Sequence, residues 1–87
     1  MKQEVEIVKY DPNKGLELDW KTGFTIEVKS EGNEVLILAN EDGLFSLANH
    51  LLTLAQNEIP PGTHIHYDEY NSLENGSVDL IIEKVDS

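Results

Sequence analysis

The chain contains no cysteine, which excludes disulfides, thiolate metal centres and cysteine nucleophiles. No stretch approaches the roughly 20 apolar residues of a membrane span. The opening residues, Met1-Lys2-Gln3-Glu4-Val5-Glu6-Ile7, alternate polar with apolar and lack the continuous apolar core of an export signal. A cytoplasmic protein is expected on these grounds. Positive charge is also scarce, with six basic residues against 17 acids and a net charge of −11. The shortage is uneven. Residues 1–40 carry five lysines against eight acids, a balance of −3, whereas residues 41–87 carry Lys84 alone against nine acids, a balance of −8. Such a field repels phosphates, so no nucleic-acid partner is expected, and it attracts a basic protein.

Several catalytic signatures are missing too. The serines at 46, 72 and 77 lie in no G-x-S-x-G elbow. There is no GxGxxG or Walker sequence to cradle a phosphate. Asp68 with Glu69, or Glu69 with Glu74, could be read as acid and base, but carboxylates this abundant fall into such pairs by chance. A binding protein is expected, not an enzyme, and no cofactor is implied.

What remains is the composition of one soluble domain over residues 1–87, 39% hydrophobic and 26% charged. Val5 and Ile7 alternate with Glu4 and Glu6, which predicts a strand near residues 3–10. The turn residues Asp11-Pro12-Asn13-Lys14-Gly15 follow. Leu16, Leu18 and Trp20 alternate with polar neighbours, as do Phe24, Ile26 and Val28, and the two runs are expected to pair as a hairpin across Lys21-Thr22-Gly23. After a turn at Ser30-Glu31-Gly32-Asn33, the continuously apolar Val35–Ala39 reads as a central strand with both faces covered.

At Asn40 the period changes. Leu44, Leu47, Ala48, Leu51 and Ala55 make the stripe of an amphipathic helix, widened by Phe45, Leu52 and Leu54. Asn40 is the expected N-cap, with Glu41 and Asp42 favoured in the first turn. Ser46, Asn49, His50, Thr53 and Gln56 are expected to face water, and the helix should stop near Asn57, before Pro60-Pro61-Gly62. Two further strands are predicted, over 63–70 and 77–85, joined by a link ending in Asn75-Gly76. The order ββββ-α-ββ implies an α+β fold, one antiparallel sheet of five to six strands with a long helix on one face.

Candidate functional residues concentrate at His64-Ile65-His66-Tyr67-Asp68-Glu69-Tyr70. On a strand, Ile65 and Tyr67 should point inward, leaving His64, His66 and Asp68 in one polar row. Two imidazoles and a carboxylate have the chemistry to bind a divalent ion, although His-x-His without a companion motif is weak evidence for one. The alternatives are a plain solvated face and a partner-contacting surface. Tyr70 beside Asp68, Glu69 and Glu74 combines an amphipathic anchor with charge, the usual makings of a protein-binding hot spot. A module that oligomerises through an exposed strand edge is a third reading.

The segments Gly43-Leu44-Phe45-Ser46-Leu47-Ala48-Asn49-His50-Leu51-Leu52-Thr53-Leu54-Ala55, Pro61-Gly62-Thr63-His64-Ile65-His66 and Asp68-Glu69-Tyr70-Asn71-Ser72-Leu73-Glu74-Asn75-Gly76-Ser77 resemble the immunity protein 32 family. The likeness is densest over residues 43–83, and Leu16-Glu17-Leu18-Asp19-Trp20 fits it as well. The resemblance implies an immunity protein that neutralises a bacterial polymorphic toxin encoded beside it, and implies no catalytic role. With the charge asymmetry it suggests that a basic toxin domain is bound through His64, His66, Asp68, Glu69, Tyr70 and Glu74.

Overall fold

A computed structural model describes residues 2–86. Its elements run β1 (Ile26–Glu31), β2 (Glu34–Ala39), α1 (Glu41–Leu54), β3 (His64–Tyr67) and β4 (Leu80–Glu83). The α+β class and the central helix are as expected. The single sheet of five to six strands is not: the strands form two separate antiparallel pairs, β1 with β2 and β3 with β4.

The β1–β2 hairpin turns on Gly32-Asn33, where Gly32 takes φ 58°. A positive φ at the first of two central residues fits a type II′ turn, whose twist suits a tight hairpin. The register pairs Ile26 with Ala39 and Val28 with Ile37. In the second pair, His64 lies opposite Glu83 and His66 opposite Ile81.

The strands expected over 3–10 and 16–20 do not form; the N-terminal segment makes only an isolated bridge between Asp11 and Gly15. Competition for backbone groups explains this. Both edges of β1 are already occupied, one by β2 and the other by the segment before β4. There Glu74 N–H donates to the Ile26 carbonyl at 2.9 Å and Val78 N–H to the Val28 carbonyl at 2.9 Å. β1 therefore has no edge left to form the expected hairpin with residues 16–20. The N-terminal segment instead satisfies peptide groups on side chains of the helix and of Gln56 just beyond its end. Lys21 N–H donates to Ser46 Oγ at 2.8 Å, and Asn49 Nδ2 donates to the Glu6 carbonyl. Gln56 accepts from Tyr10 N–H at 3.0 Å and donates to the Val8 carbonyl at 2.8 Å.

That arrangement turns the helix round. Ser46, Asn49, His50 and Thr53, predicted to face water, are buried, while Leu44, Leu51 and Leu52 are about half exposed. The N-cap is as predicted: Asn40 Oδ1 accepts from Gly43 N–H at 2.8 Å. It also accepts from Thr25 N–H at 2.9 Å, and Asn40 Nδ2 donates to the Gly23 carbonyl at 2.9 Å, tying the helix start to the entry of β1.

The core gathers Ile26 and Val28 from β1, Leu54 from α1, Ile65 and Tyr67 from β3, and Ile59 and Leu73 from loops. Val35–Ala39, read from sequence as a covered central strand, is an exposed edge strand. Its neighbour β1 holds the central position, with Ile26 and Val28 buried and Lys29, Ser30 and Glu31 exposed.

Candidate functional site

β3 and the loop after it carry all the residues singled out from the sequence. The alternation holds: Ile65 and Tyr67 are buried, His64 and His66 exposed. Directly opposite residues of an antiparallel pair share a face, so the outer surface also receives Glu83 beside His64 and Ile81 beside His66.

The row His64, His66, Asp68 does not act as a unit. His66 Nε2 donates to Asp79 Oδ2 at 2.8 Å, a partner outside the predicted trio. His64 Nδ1 makes only a long contact, 3.4 Å, with the Gly62 carbonyl. The hydrogen bonds of the Asp68 carboxylate go into its own loop, where Oδ1 accepts from the amides of Tyr70 and Asn71, each at 2.9 Å. The Asp68 carbonyl accepts from Ser72 and Leu73 N–H at 3.0 and 2.9 Å. This is the turn-forming use of aspartate. Among the described residues no group of three or more histidine or carboxylate side chains is placed to hold a metal ion.

The loop is built as carefully as a strand. Asn71 Nδ2 donates to the His66 carbonyl at 3.0 Å, and Glu69 Oε2 accepts from Gly76 N–H at 2.9 Å. Leu73 plugs the loop into the core. On this frame Tyr70 stands 93% exposed, and Glu74 is exposed near it in the sequence. Asp68 and Glu69 are therefore supports of the loop, whereas Tyr70, Glu74 and the two histidines are what it displays.

Little neutralises this surface. Lys84, the one lysine of the second half, donates through Nζ to the carbonyls of Gln56 and Ile59 at 2.6 and 2.8 Å. The ion pairs among the described residues are Lys29–Glu27 and His66–Asp79. The carboxylates of Glu74 and Glu83 thus have no cation against them.

Sequence reading missed Asp79, Ile81 and Glu83 as members of this face. The signal was present: if Leu80 and Ile82 point inward on the last strand, residues 79, 81 and 83 point outward, and only the β3–β4 register was needed to bring them beside the histidines. It also misplaced His50. Expected on the surface, this residue is fully buried, with Nδ1 2.8 Å from Tyr67 Oη and Nε2 2.7 Å from the Asp19 carbonyl.

Away from this face, a concavity of about 550 Å³ lies between the N-terminal segment and α1, lined by Trp20 and Phe45 together with Glu4, Glu6 and Asp19. Its polar groups Ser46 Oγ and Asn49 Nδ2 are engaged in holding the N-terminal segment. No helix among the described residues is long and apolar enough to cross a membrane.

No curated protein and no solved structure matches the chain. The family described as Immunity protein 32 does, over residues 34–85. That span runs from β2 through β4 and takes in the helix, the histidine strand and the Tyr70 loop. It covers more than half of the sequence, and the chain belongs to the immunity protein 32 family.

Proposed function

We propose that this protein binds and neutralises a cognate bacterial toxin domain in the cytoplasm, and that it acts by occupying the toxin and not by catalysis. The observation that carries the reading is Tyr70, 93% exposed on a hydrogen-bonded loop next to carboxylates without cations. A tyrosine has few side-chain torsions to freeze, and here the loop backbone that carries it is already fixed, which are the properties of an interface anchor. Glu74 and Glu83 supply charge for a basic toxin surface, and His64 and Ile81 complete the exposed face of the second sheet. Family membership supports a protein partner; the charge supports its being basic.

Co-expression with the toxin gene next to this one is the test. Wild-type protein should restore growth and co-purify with the toxin domain, and failure to do either with any neighbouring toxin would sink the proposal. Within a complex that forms, Tyr70→Ala should weaken binding by about tenfold or more. Its melting temperature should match wild type, because so exposed a side chain holds nothing together.

A further inference from the structure

β2 has the composition of a strand covered on both faces and the position of a strand covered on neither. One of its edges bonds β1, and among the described residues nothing hydrogen-bonds the other. Val35, Leu36, Ile37 and Leu38 are 64, 38, 47 and 47% exposed. Folded proteins usually blunt such an edge with a lysine, a proline or a bulge, because its free N–H and C=O groups template pairing with another chain. Between Val35 and Ala39 there is no charge and no proline, and the β1 register runs through without a bulge.

The geometry points to β2 as a docking strand that takes an extended segment of the protein partner as the third strand of the β1–β2 sheet. This rests on the reading that the chain works by binding a basic protein, and it specifies a part of that protein. Charge selects the occupant. Glu31 and Glu34 stand at one end of β2, Glu41 and Asp42 at the other, and Glu27 lies opposite Leu38. The one lysine of the sheet, Lys29, is 3.9 Å from Glu27. The matching segment is apolar over its centre and carries lysine or arginine at both ends, over the roughly 20 Å that six strand residues span. A second copy of this chain fits poorly. Antiparallel self-pairing sets Glu34 of each copy against the Glu41 and Asp42 end of the other, twice over, between molecules of net charge −11. Main-chain bonds would give such a strand its affinity and the side-chain positions its specificity.

A probe for this is the synthetic peptide Lys-Lys-Val-Thr-Val-Ile-Val-Thr-Lys-Lys, titrated into the full chain with amide hydrogen exchange followed by NMR. Binding should slow exchange at alternate amides of residues 34–39. Methylating alternate backbone nitrogens of the peptide, or exchanging its terminal lysines for glutamates, should weaken binding by about tenfold or more. A Val35→Lys, Leu38→Lys double variant should lose binding to a similar extent. The methylated peptide needs no change to the protein, so a variant that folds badly leaves the test intact. The inference is overturned if no peptide binds, if protection appears elsewhere, if the methylated peptide binds as well as its parent, or if sedimentation finds a dimer joined at β2. None of these outcomes bears on rescue by co-expression, which tests toxin neutralisation by itself.

Discussion

Burial pushes the pKa of His50 below its ordinary value of 6.5, and the carbonyl bond and charge of Asp19 offset only part of that. The neighbours also fix where its proton sits. The Asp19 carbonyl accepts only, so Nε2 carries the hydrogen, and Tyr67 Oη–H must then donate to Nδ1. Burial likewise pushes the Tyr67 hydroxyl up to about 12. The two shifts have opposite consequences. Below about pH 6.5 the unfolded chain takes up a proton that buried His50 refuses, so this residue's share of stability is lost as pH falls through that value. Above about pH 10 the unfolded chain loses a proton that Tyr67 keeps, so stability is lost as pH rises from there towards 12. His50→Ala leaves the buried Tyr67 hydroxyl and the Asp19 carbonyl without their partner and opens a cavity, and should cost about 2–4 kcal/mol near neutrality. Urea melts would show that deficit narrowing between about pH 7 and about pH 5, because the variant lacks the group that titrates. A constant deficit would mean that His50 does not titrate differently in the two states. In a spectrophotometric titration one of the three tyrosines should ionise late, and Tyr67→Phe should remove that late phase.

α1 shows how local rules succeed and fail in one element. Its start was legible, because Asn40 and the acids after it obey capping and dipole preferences that depend on a few neighbouring atoms. Its inner face was not. The leucine stripe obeys helical periodicity, but of its leucines only Leu54 is buried, and the other buried residues of the helix are Gly43, Ser46, Asn49, His50 and Thr53. Ser46, Asn49 and His50 are needed there because the N-terminal segment brings peptide groups against the helix, and a buried N–H or C=O without a partner costs about 1–3 kcal/mol; Thr53 returns its hydroxyl to the Asn49 carbonyl. Periodicity assumes that a helix packs against side chains; this one also packs against the backbone of the N-terminal segment, beside the rings of Trp20 and Tyr67. Gly43 offers a test of the tight contact at its start. A Cβ there would lie 2.5 Å from the Thr25 carbonyl oxygen and 3.2 Å from Ala39 Cβ. Helix propensity favours alanine over glycine by about 1 kcal/mol. The clash is with backbone that β1 and Asn40 hold in place, so Gly43→Ala should nonetheless destabilise by about 1–3 kcal/mol. A variant melting at or above wild type would show that the helix start is looser than its hydrogen bonds indicate.

Across the molecule, the phase of β3 was legible, because burial of Ile65 and Tyr67 fixes by alternation what His64 and His66 must do. Long-range pairing was not, and with it went the division into two sheets, the edge position of β2 and the arrival of Asp79 at His66. No local pattern records which strand finds an edge already occupied. Net charge needs no fold to be read, yet the fold decides how it acts: Lys84 is tied to carbonyls, so the acids of the second half face solvent with almost nothing opposing them. The field should therefore govern the approach of a basic toxin more than the final complex. Raising ionic strength from about 0.01 to about 0.15 M shortens the screening length from about 30 to about 8 Å. Over that range the association rate should fall by about tenfold or more, with dissociation little changed. Glu74→Lys with Glu83→Lys should lower the association rate at low salt and bring it close to wild type at high salt. Tyr70→Ala should do the reverse, leaving association alone and speeding dissociation. Stopped-flow association with the cognate toxin domain separates the two effects. An association rate indifferent to salt would show that the acids of this chain serve its solubility and not its encounter with the toxin.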